Sequence, residues 1–189
     1  APDEARRFER LYAAARDPWS YDSSAYERDK RAATLAALPP RPIEGALDLG
    51  CSNGVLTRLL AKRCEHVVAV DGSARAIALA SERRLPANVT LVEARFPDEV
   101  PVGEFDLIVC SEILYYLSPA ELWRAMRWLR SRIEGGATLL AVSWRGHGDE
   151  PMRGEDVHDL LAQEFAAWHV LDARQPSYRL DRFEAAGDR

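Results

Sequence analysis

A glycine turn and a nearby carboxylate carry the clearest chemistry in this sequence. Residues 46–54, Ala-Leu-Asp-Leu-Gly-Cys-Ser-Asn-Gly, predict a buried strand that ends in a tight turn, with a helix following at 55–63. Residues 67–72, Val-Val-Ala-Val-Asp-Gly, predict a second buried strand that ends on Asp71. In an α/β domain this pairing holds a nucleoside, because the turn lets backbone approach the ligand and the acid accepts the ribose hydroxyls.

The spacing of the glycines indicates which nucleoside this turn suits. A dinucleotide loop needs glycine at its first, third and sixth positions, but Gly50 is followed there by Ser52 and Val55. No Gly-Lys-Ser/Thr follows, which excludes a Walker-type phosphate loop. The remaining pattern, Asp48-x-Gly50-x-x-x-Gly54, resembles the first motif of class I S-adenosylmethionine-dependent methyltransferases, which often have glycine at the position of Ser52. A nicotinamide enzyme and a turn that binds nothing are the alternatives.

Alternating strand and helix patterns from residue 45 onward predict a sheet with helices on both faces. A capping box at 118–121 begins one helix, and a further helix is expected at 155–168. Seven strands are expected, at 46–49, 67–71, 90–93, 105–110, 138–143, 169–173 and 178–184. The last two form an antiparallel hairpin of the kind that closes the methyltransferase sheet. We therefore predict an α/β, Rossmann-like class I methyltransferase fold with a mostly parallel seven-stranded sheet.

The segment before the first strand is predicted to form a cap. An aromatic-rich turn at 17–21 precedes a helix at about 24–38, which ends before two prolines. In the resembled superfamily such a segment commonly covers the cofactor pocket. We therefore expect a single domain over 1–189, with an N-terminal helical cap at 1–40 and the Rossmann-like core at 41–189.

Composition limits the classes of partner. The 189 residues carry a net charge of −5 and lack the basic excess that bulk nucleic-acid binding needs. No apolar run approaches the ~20 residues of a membrane span, and no signal-peptide pattern opens the sequence. Cys51, Cys64 and Cys110 are expected to be reduced core residues, and no histidines and acids have metal-ligand spacing. We expect a cytoplasmic protein with no nucleic-acid, membrane or metal partner, and the choice between monomer and dimer stays open.

The predicted cofactor contacts lie at strand ends and on the cap helix. Asp71 is expected to accept both ribose hydroxyls, with an N-cap role for the following helix as the alternative. Arg95 stands where the resembled family usually has an acid for the adenine amino group, which leaves Phe96 to contact the ring. Lys30 or Arg28 is the candidate partner of the methionine carboxylate. The predicted cofactor is S-adenosyl-L-methionine, with S-adenosyl-L-homocysteine as product. The predicted cofactor-binding residues are Tyr26, Lys30, Asp48, Gly50, Cys51, Ser52, Gly54, Asp71, Gly72, Arg95, Phe96 and Ser111.

Acceptor-side residues are expected after the fourth and fifth strands, at the sheet edge where ligands of such folds bind. Glu112 and Tyr115 follow the fourth strand, and His147 lies in a glycine-rich loop after the fifth. A carboxylate or an imidazole there can deprotonate an amine or hold it in register, so these three are the predicted catalytic residues. The predicted substrate-binding residues are Trp19, Tyr21 and Tyr116. Core packing is the alternative for the aromatic residues.

Several stretches resemble the NodS-like methyltransferases in particular. They are Asp-Pro-Trp at 17–19 with Tyr26-Glu27-Arg28, Asp48-Leu-Gly-Cys with Gly54, Glu112-Ile-Leu-Tyr-Tyr-Leu, and Gly146-His147 before Gly154-Glu155. NodS enzymes N-methylate the free amine of a deacetylated chitooligosaccharide, so the resemblance implies a small-molecule acceptor with an amine, an amino sugar being favoured. The alternatives are O-methylation of a small hydroxylated metabolite and a non-catalytic S-adenosylmethionine-binding module of a larger polypeptide.

Overall fold

A seven-stranded sheet forms the centre of the computed structural model, which describes residues 2–146 and 148–185. The strands are β1 Ile43–Leu49, β2 Cys64–Asp71, β3 Val89–Glu93, β4 Leu107–Ser111, β5 Thr138–Trp144, β6 His169–Arg174 and β7 Tyr178–Phe183. They lie in the order β3-β2-β1-β4-β5-β7-β6. The pairs among β1 to β5 are parallel, whereas β7 is antiparallel to both β5 and β6. The predicted sheet with its C-terminal antiparallel hairpin is confirmed.

Helices connect the parallel strands and cover both faces of the sheet. The α-helices of the described part are α1 Pro2–Ala14, α2 Ala25–Ala36, α3 Val55–Leu60, α4 Ala74–Glu82, α5 Pro119–Glu134 and α6 Gly154–Glu164. The helix expected at 55–63 ends at Leu60, because the N–H groups of Lys62 and Arg63 donate three residues back and tighten the chain into turns. The helix expected at 155–168 corresponds to α6, which ends at Glu164. Beyond it the chain forms only a 3₁₀ turn, Ala166–Trp168.

Each face of the central strands is buried under helices. Leu47, Leu49 and Ile108 pack on one face with the apolar stripe of α5, while Leu107 and Val109 pack on the other, in the same cluster as the end of the cap. Alternate residues of a strand point to opposite faces, so a strand buried on both sides appears as a continuous apolar run. The continuous apolar runs of β1 and β4 therefore allowed both to be predicted as buried strands.

The cap contains two helices where one was predicted. The predicted helix corresponds to α2, which begins after its N-cap Ser24. The other helix, α1, was missed because six of the first ten residues are charged and few are apolar. It is held by Tyr12, whose buried ring packs against Ala76 and Leu79 of α4. The Tyr12 hydroxyl also donates to Oγ of Ser52, in the turn after β1, at 2.5 Å.

Two further observations concern the described ranges alone. No helix within 2–146 and 148–185 is long and apolar enough to cross a membrane. The same ranges contain no group of three or more His, Cys, Asp or Glu residues arranged to hold a metal ion. Cys51, Cys64 and Cys110 are buried free thiols.

Candidate cofactor and acceptor site

The turn between β1 and α3 adopts backbone conformations that favour glycine. Gly50 has φ +75° and Gly54 has φ +79°. The Gly50 N–H donates to the carbonyl of Val70 at 2.8 Å, which ties the turn to β2. A Cβ on Gly50 would lie 3.1 Å from the side chain of Ile113. The two glycines of the predicted motif therefore each meet a conformational requirement, and Gly50 also allows a close approach.

Asp71 ends β2 with a carboxylate that the backbone holds in place. Its Oδ2 accepts the N–H of Ser52 and its Oδ1 accepts the N–H of Ser73, both at 2.9 Å. Each oxygen keeps a further acceptor position, as two ribose hydroxyls would require. Burial raises the pKa of Asp71 to about 6, although the two N–H groups oppose this shift. The alternative N-cap role is wrong, because the Ser73 hydroxyl caps α4 by accepting the N–H of Ala76.

Four of the predicted cofactor residues, Asp48, Cys51, Gly54 and Ser111, do not line the main cavity. Asp48, Cys51 and Ser111 line a small cavity of about 30 Å³ instead. Asp48 accepts the hydroxyl of Thr57 at 2.6 Å, and burial raises the pKa of Asp48 to about 6. Direct contact of these residues with a cofactor stays a prediction. In this geometry Asp48 ties α3 to β1.

Two polar residues that the sequence analysis missed also line this small cavity. Both amide atoms of Asn53 are buried without a hydrogen-bond partner among the residues described. The buried Nη1 of Arg31 makes no hydrogen bond there either, but it lies 3.7 Å from Oε2 of Glu27. Buried polar atoms of this kind usually pair with water or a ligand. The signal for Asn53 was its place between the two glycines of the motif. Arg28, the other candidate beside Lys30 for the methionine carboxylate, donates to the carbonyl of Ser23 at an exposed position.

Glu112 joins three parts of the molecule, α2, the segment after β4 and the end of β5, through one carboxylate. Its Oε1 accepts from Nζ of Lys30 at 2.5 Å and from the hydroxyl of Tyr26 at 3.1 Å. Its Oε2 accepts from the hydroxyl of Tyr115 at 2.5 Å and from the N–H of Trp144 at 3.0 Å. Its φ of +58° is uncommon for a non-glycine residue. A carboxylate with four donors has little capacity left for a proton, so its catalytic role stays a prediction, and the geometry favours an organising role.

Lys30 is a buried cation with two carboxylate partners. Its side chain is 2% exposed, and its Nζ lies 2.8 Å from Oε1 of Glu27 in addition to its contact with Glu112. Nζ also lies 4.7 Å from the centroid of the Tyr26 ring. Two carboxylates already compensate this charge, although Lys30 also lines the small cavity, so its pairing with a cofactor carboxylate stays a prediction.

Aromatic residues of the cap and of the sheet edge form one wall of the main cavity. Trp19 lies between Tyr12 and Tyr21, with ring centroids 5.4 and 5.8 Å away. Phe8 packs edge-on to Tyr116 at 4.9 Å. All five line the cavity. Phe8 and Tyr12 were missed with the helix that carries them.

The segment after β3 contributes Arg95 and Phe96 to the lining of the main cavity. Gly72, directly after Asp71, lines it as well. Phe96 is largely buried and packs edge-on to Trp128 at 5.8 Å. The N–H of Arg95 donates to the side chain of Glu99 at 3.0 Å. This arrangement offers an aromatic ring and backbone beside the predicted ribose site, without an acidic side chain at position 95.

The loop after β5 contributes an indole and a carboxylate. Trp144 and Glu150 both line the main cavity. A Cβ on Gly146 would lie 1.8 Å from Cζ2 of the Trp144 indole, and a Cβ on Gly148 would lie 2.7 Å from Oε2 of Glu150. Glycine at these two positions therefore leaves room for the two side chains. His147, the third predicted catalytic residue, lies outside the residues that the structure describes.

The main cavity has a volume of about 350 Å³, which lies in the range of small-molecule sites. Nine aromatic residues, five carboxylates and one guanidinium contribute to its lining. It brings together the predicted residues Trp19, Tyr21, Tyr26, Gly50, Ser52, Asp71, Gly72, Arg95, Phe96, Glu112, Tyr115 and Tyr116. The roles assigned to them individually stay predictions.

Comparison with known proteins identifies the family. Residues 1–147 match the model of the family described as Nodulation protein S (NodS). The chain belongs to the NodS family. The predicted resemblance is thereby confirmed, and with it the class I methyltransferase fold.

Individual relatives agree with this assignment. Nodulation protein S of Sinorhizobium fredii is 36% identical over 136 residues, which are 71% of this chain and 59% of that relative. The N-methyltransferase NodS of Bradyrhizobium japonicum, solved with S-adenosyl-L-homocysteine, superposes with a TM-score of 0.80 at 25% identity, covering 95% of this chain and 96% of that one. A cypemycin N-terminal methyltransferase of Streptomyces is 32% identical over 115 residues, or 54% of this chain and 46% of that relative. The chain thus spans 59% of the length of the Sinorhizobium protein.

Two glycines of the NodS-like stretches, Gly146 and Gly154, both lie where a side chain would collide with Trp144. Gly146 lies under the indole of Trp144, as described above, and a Cβ on Gly154 would lie 2.3 Å from the carbonyl oxygen of Trp144. Both glycines allow the loop after β5 and the start of α6 to pack closely around Trp144. The resemblance at Gly146-His147 and Gly154-Glu155 therefore marks a compact loop at the cavity mouth.

Proposed function

We propose that this chain transfers the methyl group of S-adenosylmethionine to the amine of a small polar acceptor, with an amino sugar favoured. The observation that carries this proposal is the lining of the main cavity, with five carboxylates and nine aromatic residues against one guanidinium. Both reactants of N-methylation carry positive charge before the reaction, the donor at sulfur and the acceptor as an ammonium ion. Carboxylates and aromatic faces attract cations, so this lining suits both of them.

The residues present fit the cofactor. The Asp71 carboxylate would accept the ribose hydroxyls, and Phe96 would lie beside the adenine ring. The unpartnered amide of Asn53 and the Nη1 of Arg31 supply donors and an acceptor for a charged amino-acid group. Bound there, S-adenosylmethionine supplies a methyl group that is already activated by a positively charged sulfur.

The protein's own task is mainly to align the acceptor, because the methyl group needs no further activation. Glu112 serves this task by fixing Tyr26 of the cap, Tyr115 after β4 and Trp144 at the end of β5 around one point. The aromatic wall then excludes water from the space between the cap and the sheet edge.

Nitrogen is favoured over oxygen as the methylated atom. An ammonium ion has no lone pair and must first lose one proton to solvent, after which its nitrogen attacks the methyl group as the sulfur leaves. An aliphatic hydroxyl is a far weaker acid than an ammonium ion and needs a stronger base than a carboxylate during transfer. The names of two relatives, an N-methyltransferase and an N-terminal methyltransferase, also favour an amine.

The proposal is tested by binding and by turnover. Isothermal titration with S-adenosylhomocysteine and with NAD should give binding of the first alone, and binding of NAD alone would overturn the cofactor assignment. A methyl-transfer screen should then compare deacetylated chitooligosaccharides, a short peptide with a free N-terminus and phenolic acceptors. Methylation of an amine, located by mass spectrometry and NMR, is the expected result. Methylation confined to phenolic oxygen would overturn the choice of nitrogen.

A further inference from the structure

The five carboxylates that line the main cavity differ in what they already bind. Glu27 pairs with Lys30, and Glu112 accepts four donors, including Lys30. Asp71 is held by two backbone N–H groups at the predicted ribose position. Glu121 accepts the N–H and hydroxyl of Ser118 as part of the capping box of α5.

Glu150 differs from these four acids. Within 2–146 and 148–185 its carboxylate makes no hydrogen bond or ion pair with the protein, although it lines the cavity. It lies in the loop after β5, at the carboxyl edge of the parallel strands. Glu150 and Tyr116 line the same cavity, and the negative charge of Glu150 is, after burial, a smaller cause of the raised pKa of Tyr116.

The loop is built around this carboxylate and the neighbouring indole. As described above, Cβ atoms on Gly146 and Gly148 would meet the Trp144 ring and the Glu150 carboxylate at 1.8 and 2.7 Å. Trp144 is 36% exposed, so one part of its indole is available at the mouth of the cavity. Trp144 and the loop that follows it thus contribute a flat apolar surface and an uncompensated anion to the same cavity.

We propose that Glu150 is the specificity-determining residue that binds the protonated amine of the acceptor, and that the Trp144 indole packs against the acceptor's carbon skeleton. This inference rests on the proposed function and adds the group that recognises the substrate. Glu150 is the lining acid best suited to the task, because a carboxylate with both oxygens available can accept charge-assisted hydrogen bonds from an ammonium ion. The acceptor class is therefore an amine that is cationic at neutral pH and carries a face for stacking, such as an amino sugar.

A matched pair of variants tests this inference. Glu150→Gln removes the charge inside the cavity, whereas Asp149→Asn removes the same charge from the same loop at an exposed position that does not line the cavity. The probes are glucosamine oligomers and their fully N-acetylated counterparts, titrated into protein saturated with S-adenosylhomocysteine so that no transfer occurs. S-adenosylhomocysteine affinity, measured for each variant, reports whether the site is still folded.

Glu150→Gln is expected to weaken binding of the glucosamine oligomer by about 10- to 100-fold, as loss of a hydrogen bond to a charged group predicts. Asp149→Asn should bind it as the wild type does, and both variants should keep their affinity for S-adenosylhomocysteine. In turnover with S-adenosylmethionine the loss should fall mainly on KM. Trp144→Ala should weaken binding of the glucosamine oligomer more than Trp144→Phe does.

Equal binding of the amine by Glu150→Gln and Asp149→Asn would overturn the inference, and so would equal wild-type affinity for the free and N-acetylated oligomers. Either result can occur in a protein that methylates amines, in which case the proposed function stands and the role of Glu150 falls. If the protein binds S-adenosylhomocysteine but methylates no amine, the proposed function falls instead.

Discussion

The two halves of the main cavity are built in different ways. On the cofactor side, Gly50 and Asp71 follow directly from buried parallel strands, and backbone hydrogen bonds hold them. On the acceptor side, the wall consists of side chains from α1, α2, the segment after β4 and the loop after β5, and side-chain contacts join them. The first half is set by local chain geometry, whereas the second depends on how distant segments pack.

This difference indicates which property of the protein a substitution in each half should change. A substitution on the cofactor side meets fixed backbone and should change ligand affinity directly. A substitution on the acceptor side should first disturb the contacts that join the cap to the sheet, and so should lower stability together with turnover. Variants that separate these outcomes test whether the two halves of the cavity respond differently.

The largest effect is expected for Gly50→Val. A β-branched side chain at φ +75° is strained, and its Cβ would lie 3.1 Å from the side chain of Ile113. We expect affinity for S-adenosylhomocysteine to fall at least ~100-fold, about 2.7 kcal/mol. Isothermal titration measures this, with circular dichroism to check the fold. Gly136→Ala is the control, because Gly136 also has a positive φ, +97°, but has open space around its Cβ and does not line the cavity. It should lower stability through the same kind of backbone strain and still bind normally.

Glu112→Gln should act on stability. The substitution removes one of the two carboxylates that compensate the buried Lys30, so we expect the free energy of unfolding to fall by about 2 kcal/mol. Denaturant unfolding measures the loss, and the double variant Lys30→Met/Glu112→Gln should recover part of it. A large loss of kcat with unchanged stability would instead support Glu112 as a base.

Asp71→Asn should weaken cofactor binding at neutral pH. An amide accepts fewer hydrogen bonds than a carboxylate and carries no charge, so we expect about a tenfold loss, about 1.4 kcal/mol. Titration at pH 7.5 checks this value. An unchanged affinity would mean that the ribose is held elsewhere, and the comparison between the two halves would lose its main example.

The pH dependence of cofactor binding follows from the same carboxyl group. Burial raises the pKa of Asp71 to about 6 in the free protein, and ribose hydroxyls bind the ionised form. Affinity should therefore be full above pH 7 and should fall as the pH drops through 6, reaching about a tenfold loss at pH 5. Because the raised pKa favours the protonated form, acidification over this window should not destabilise the free protein through Asp71. In Asp71→Asn any remaining dependence would report on Asp48, whose pKa is also about 6.

The smallest effect is expected for Tyr26→Phe. It removes one hydrogen bond, of 3.1 Å, from Glu112 and should cost about 1 kcal/mol of stability. Tyr178→Phe is the matched control, since the Tyr178 ring lies 6.2 Å from that of Tyr26 and its hydroxyl makes no hydrogen bond with the described residues. Thermal unfolding should shift for Tyr26→Phe only. Equal shifts would mean that ring packing, not the link to Glu112, holds the cap.

The sequence predicted the sheet correctly, and it also singled out the glycine turn and the acid that line the main cavity. Gly50 directly follows one buried strand and Asp71 ends the next, so short local patterns in the sequence define both positions. Arg31 and Glu150 were not predicted, because their importance depends on what the neighbouring acids already bind. Phe8 and Tyr12 were missed because α1 has few apolar residues and is held by tertiary contacts with α4.

The contact of Tyr12 with Ser52 has a practical consequence for handling the protein. Helix α1 begins at Pro2, and Phe8, on the cavity wall, is six residues further along, roughly 9 Å of helix. An affinity tag or fluorescent fusion joined ahead of α1 would therefore lie close to the mouth of the cavity. By contrast, Phe183 at the end of β7 pairs with Leu139 near the start of β5, at the opposite edge of the sheet. Purification handles and surface-immobilisation tags belong at that end.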